Sequence, residues 1–117
     1  MNRDEVIAYI MERYSTDPEY PWAKTPRYAI FRHKPGRKWF VAIVDVSKDK
    51  LGLEGDEVVD VLLLKCDPLM IGSLLNGRDI LPGYHMNKEH WITIVLGGSV
   101  PDEQVYSLIA LSYGLTG

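Results

Sequence analysis

The chain has 117 residues, of which 46% are hydrophobic and 25% charged, and its net charge is −3. That length suits a single domain, residues 1–117, with a core of its own, and the lone Cys66 excludes an internal disulfide or a cysteine-rich zinc site. No run of about eighteen apolar residues is present to cross a membrane, and the opening "MNRDEVIAYIMERY" lacks a signal-peptide core, so a cytoplasmic protein is expected.

Asn2 followed three positions later by Glu5 is a capping-box start, and Val6, Ile7, Ile10, Met11 and Tyr14 recur at helical spacing. This predicts a helix over Arg3–Tyr14 with Val6, Ile7, Ile10 and Met11 facing the core. The stretch "STDPEYPWAKTP" carries three prolines and reads as a loop anchored by Tyr20 and Trp22. Residues 28–32 form a short strand, "HKPGRK" a turn, and residues 38–46 a second strand. Strict alternation there sets Trp39, Val41, Ile43 and Asp45 on one face and Phe40, Ala42, Val44 and Val46 on the other.

After the polar loop "SKDKLGLEGDE", residues 58–66 read as a third strand. Asp67, Pro68 and the closing Asn76-Gly77 punctuate a short helix, with Leu69, Met70, Ile71, Leu74 and Leu75 as its buried face. "RDILPG" is a connector and residues 91–96 a strand. Pro101, Asp102 and Glu103 open a last helix, with a stripe of Val105, Leu108, Ile109 and Ser112 that Tyr113 extends. Early hairpin-joined strands without a βαβ repeat imply an α+β fold, a mainly antiparallel sheet with helices packed on one face.

The chemistry-bearing residues gather in three places. "PGYHMNKEHWITI" holds His85 and His90, but five residues apart rather than the four that bring two imidazoles to one helix face, so no metal is expected. Cys66 with either histidine has the residue types of a thiol–imidazole pair. It also ends an apolar strand, where a free cysteine serves as a small core residue. No phosphate-binding or dinucleotide motif and no nucleophile elbow occurs; no cofactor is expected and an enzyme is not favoured. The basic stretch 27–38, with Arg32, His33, Lys34, Arg37 and Lys38 around Pro35-Gly36, has the form of a DNA-binding wing, or of a solvated loop that protects a sheet edge. The stretch 45–60 is dominated by acids and could serve a protein partner.

"KWFVAI", "LKCDP", "PGYHMNKEHW" and "LIALSYGL" together resemble the MmcQ/YjbR family of small bacterial proteins over nearly the whole chain. The resemblance implies a frataxin-like (CyaY-like) α-β sandwich. It also implies a DNA-binding role, proposed for the family by analogy to a double-wing fold. Iron does not follow from it, because the first helix has only Asp4, Glu5 and Glu12 and no acidic ridge.

The leading expectation is therefore a DNA-binding protein of regulatory type that is monomeric and not membrane-bound. Double-stranded DNA would meet Arg32, His33, Lys34, Arg37, Lys38, Asn87 and Lys88. The alternative is a pocket for a small anionic ligand, or an unrecognised enzyme, built from Cys66, Tyr84, His85, Asn87, Lys88, His90 and Trp91.

Overall fold

The structure, a computed structural model, describes residues 1–33 and 38–117. Its elements run α1 (Arg3–Tyr14), β1 (Ala29–Arg32), β2 (Trp39–Ser47), a 3-10 turn at Lys48–Leu51, β3 (Val58–Lys65), α2 (Pro68–Leu74), β4 (Ile80–Pro82), β5 (Trp91–Val95) and α3 (Asp102–Thr116). The five strands form one sheet in the order β1-β2-β3-β5-β4, and every neighbouring pair is antiparallel. The helices pack on one face, which makes an α+β fold. Among the described residues no helix is long and apolar enough to cross a membrane.

α1 begins where its punctuation sets it. The Asn2 side chain accepts from the Glu5 amide, and Glu5 reaches back to the Asn2 amide, each at 2.9 Å. Val6 and Ile10 are fully buried, but Met11 is exposed, and Tyr14 packs against the core in its place. α3 buries the whole expected stripe of Val105, Leu108, Ile109 and Ser112. α2 departs from expectation: only Ile71 is buried, while Leu69 is 93% exposed. A seven-residue helix turns too few times to bury more than one narrow face.

The second strand also departs from strict alternation. Phe31 pairs with Val41 but Arg32 pairs with Trp39, so Phe40 is an extra residue in β2. The bulge turns Phe40 to the helices beside Val41 and Ile43, and sends Trp39 to the opposite face with Ala42 and Val44. Ser112 of α3 donates to the Phe40 carbonyl at 2.6 Å and accepts from the Lys65 amide at 2.9 Å, so this buried hydroxyl is satisfied from two strands. "RDILPG", expected as a connector, contains the edge strand β4, whose Pro82 suits an edge.

The basic and acidic stretches neutralise each other in part. Arg27 pairs with Asp45 at 3.4 Å and with Asp60 at 3.2 Å, and the buried Arg3 adds a 2.9 Å bond to Asp60. At the other end of the sheet the buried Asp79 accepts from the Ser99 amide at 2.7 Å, the Ser99 hydroxyl at 2.6 Å and the Asn76 amide group at 2.7 Å. Burial pushes the Asp79 carboxyl up, but these hydrogen bonds outweigh it and hold the group below its ordinary value. Its contribution is thus complete above the unfolded value of about 3.9 and is lost as pH falls from there through the lower native value. Urea midpoints measured down this range should fall for the wild type. In Asp79→Asn they should start lower at neutral pH and change less with acid. An equally steep acid loss in the variant would assign the effect to other carboxylates.

Candidate ligand pocket on the helix-free face

The sheet face away from the helices is apolar, with Ile30, Ala42, Val44, Val46, Val61, Leu63, Leu81 and Val95 buried on it. Among the described residues loops rather than α-helices cover them: one segment carries Leu51 and Leu53, and two others frame a pocket. Residues 15–28 bring Trp22, Thr25 and Tyr28 over one part, held by bonds from the Thr25 amide to the Trp22 carbonyl and from the Tyr28 amide to the Thr25 carbonyl. Residues 83–90 bring Tyr84, His85 and Met86 over another. Between the loops lies a pocket of about 240 Å³ floored by Ala42, Val44 and Leu63 and walled at one side by Trp39.

The rings stand at different angles. Trp22 lies 5.6 Å from Trp39 at 75°, and 6.3 Å from Tyr28 at 83°, while His85 stacks on Tyr84 at 4.0 Å and 15°. His85 holds a left-handed backbone at φ 57, which few residues other than glycine adopt. Among the described residues that line the pocket there is no Lys, Arg, Asp or Glu.

The 83–91 loop is held by its own polar residues. The Gly83 amide donates to the Trp91 carbonyl, and the Tyr84 amide donates to the Thr93 hydroxyl, which donates onward to the Pro82 carbonyl. Lys88 Nζ donates to the Gly83 carbonyl at 2.9 Å. Asn87 accepts from the Glu89 amide through its side chain, and from the His90 and Trp91 amides through its carbonyl. His90 gives its carbonyl to the Cys66 amide.

A sequence model of one family, YjbR, matches residues 11–115. The chain belongs to the YjbR family. It is 47% identical to the uncharacterized protein YyaQ of Bacillus subtilis over 116 residues, which cover 99% of this chain and 98% of the relative. A 35-residue segment is 51% identical to the uncharacterized protein YjbR of Escherichia coli, covering 30% of each. The crystal structure of a Pseudomonas syringae protein superposes over 100% of both chains with a TM-score of 0.96 at 45% identity. The Deinococcus radiodurans protein DR2400 shares the fold at a TM-score of 0.72 and 25% identity, over 97% of this chain and 77% of that one.

Against this YjbR-family fold the expected site residues separate. Of the alternative pocket set, Tyr84 and His85 line the cavity. Asn87, Lys88 and His90 serve the loop's backbone, and Trp91 anchors its end. Cys66 belongs to the helix-side core, where burial pushes its thiol up and disfavours the thiolate. Among the described residues no three His, Cys, Asp or Glu side chains converge as a metal site requires.

Of the basic set, Lys34 and Arg37 lie outside the described residues. Arg32 pairs with Glu19 at 3.2 Å. His33 turns to the helix side, bonded to the Thr116 hydroxyl at 2.7 Å and packed 4.1 Å from the Tyr113 ring. Lys38 is exposed, with no acidic partner among the described residues. Sequence reasoning missed Tyr28, Trp39 and Met86 as pocket residues and had Trp22 only as an anchor. Met86 carried no signal, and for Tyr28, Trp39 and Trp22 it was aromatic type alone, because the bulge that turns Trp39 to this face is set by pairing with β1.

Proposed function

We propose that the protein binds a compact, uncharged, ring-bearing group in the pocket on the helix-free face. The observation that carries this is the division of work within residues 83–91. The Asn87 and Lys88 side chains tie the loop together, and three consecutive side chains, Tyr84, His85 and Met86, are spent on lining a cavity. Core stability does not require a histidine at positive φ on a pocket rim, and unusual backbone of this kind gathers at binding sites. The apolar lining favours a neutral ligand over the anionic one expected from sequence. An anion there would lose its hydration with no cation among the described lining residues to replace it. Neutral ring compounds titrated into labelled protein should shift the Trp22 and Trp39 indole signals and the amides of residues 84–86. Trp22→Ala should weaken that binding about ten-fold, a typical effect for an aromatic anchor. Shifts scattered elsewhere on the surface would defeat the proposal.

A second reading is DNA binding, with phosphates held by the turn between β1 and β2. Lys38 favours it, being an exposed cation without an acidic partner among the described residues. Duplex affinity should then fall steeply with salt, with roughly one unit of log–log slope lost for each phosphate-contacting cation removed. Equal duplex binding by the wild type and an Arg37→Ala, Lys38→Ala variant would end this reading.

A further inference from the structure

We infer that the group the pocket takes is an unpaired nucleobase on a single strand, with the strand's phosphates directed to Lys38. This rests on the pocket reading above and names its ligand. A nucleobase has two apolar π-faces and an uncharged edge of donors and acceptors, and the pocket offers the complement of each. Trp22, Tyr28, Trp39 and Tyr84 supply ring surfaces, and the near-perpendicular Trp22 and Trp39 let a flat group lie on one ring while its edge meets the other. The polar tips around the cavity are unspent: the Trp39 indole N–H, the Tyr28 and Tyr84 hydroxyls and the His85 ring nitrogens have no hydrogen-bond partner among the described residues. They can therefore meet an edge that a pure hydrocarbon would leave unpaired.

Size and charge narrow the choice further. A cavity of about 240 Å³ holds one ring system, not a base pair, so a base must leave its helix or never have been in one. A carboxylate that would mark a cage for an organic cation is missing from the lining. The nearest cation along the chain is the exposed Lys38, adjacent to the wall residue Trp39 and about 3.8 Å from it between Cα atoms. A base seated against Trp39 thus brings its own phosphate to the part of the chain that carries Lys38, whose ammonium has no acidic partner among the described residues. Ring surfaces flanked by cations are how single strands are held without sequence readout.

The test is quenching of the tryptophan fluorescence, with amide shifts read in parallel, using four probes. These are a short oligothymidylate, an abasic strand of equal length, the matching duplex and thymidine. The oligothymidylate should bind at least ten-fold more tightly than the abasic strand and more tightly than the duplex. Trp22→Ala should erase that preference. Trp22 sits in a loop and is 39% exposed, so the fold survives its truncation. Lys38→Ala should weaken the oligothymidylate and the abasic strand alike. If the abasic strand or the duplex binds as tightly as the oligothymidylate, the inference is overturned. If thymidine and other ring compounds shift Trp22 and Trp39 while the strand gains nothing over thymidine, the strand is overturned and the pocket stands. If no ring compound shifts them, the pocket reading falls, and this inference with it.

Discussion

Replacing Phe40 by alanine is expected to cost about 3–5 kcal/mol, the range for truncating a fully buried aromatic. The side chain is fully buried, with rings on every side. Tyr14 of α1 lies at 5.3 Å, Tyr113 of α3 at 4.8 Å, His33 at 5.3 Å and Phe31 at 6.3 Å between centroids. These neighbours come from both long helices, from β1 and from the residue that follows it, so the hole cannot close by moving one element. The bond from the Ser112 hydroxyl to the Phe40 carbonyl survives the substitution and will hold the bulge open around the void. Urea unfolding measures the loss. Phe40→Leu should recover part of it, and a cost below about 1 kcal/mol would place the side chain outside the core. Because His33 packs on the same ring, its signals should shift in the alanine variant, while those of Trp39 on the opposite face should move little.

Phe40 also shows what was legible in the sequence. The helices were, because capping and 3.6-residue spacing are local. Asn2 with Glu5 marks the start of α1, and the stripe from Val105 to Ser112 is buried as its spacing requires. The faces of β2 were legible from Val41 to Val46 but not at Trp39 and Phe40, because one extra residue there swaps which of the two points to the helices. That residue is defined by the partner strand, from Phe31 against Val41 to Arg32 against Trp39, and not by any local pattern. β4 escaped for a different reason: three residues ending in Pro82 are too short to show alternation. At the candidate site, residue types pointed to a loop of which Tyr84 and His85 line the pocket, but not to the division of work within it. Lys88 and Asn87 look like ligand contacts until the backbone they tie is drawn. Tyr28 and Trp39 arrive from elements far away in sequence.

Adding a methyl group at Gly83 is expected to destabilise the fold by about 1–3 kcal/mol, the usual cost of overpacking, and to disturb the pocket along with it. A Cβ there would lie 2.8 Å from the Trp91 Cβ, 2.9 Å from its carbonyl oxygen and 3.0 Å from its carbonyl carbon. Backbone atoms cannot swing aside as the end of a flexible side chain can. Trp91 is fixed by its pairing with Lys65 and by its amide bond to the Asn87 carbonyl at 3.0 Å. Gly83 must therefore move, and its own amide donates to the same Trp91 carbonyl at 3.1 Å. Displacing it strains the next bond, from the Tyr84 amide to the Thr93 hydroxyl at 2.9 Å, and the Lys88 bond to the Gly83 carbonyl. Tyr84, His85 and Met86 would shift as a unit, because these contacts hold the loop that presents them. Gly83→Ala should thus lower the urea midpoint, move the amide signals of residues 84–86 and weaken ring binding in one variant. Trp22→Ala, by contrast, should weaken binding while leaving stability near wild type. If Gly83→Ala lost stability but bound ring compounds as the wild type does, the loop would not be what positions the pocket wall, and the division of work within residues 83–91 would no longer support a binding site.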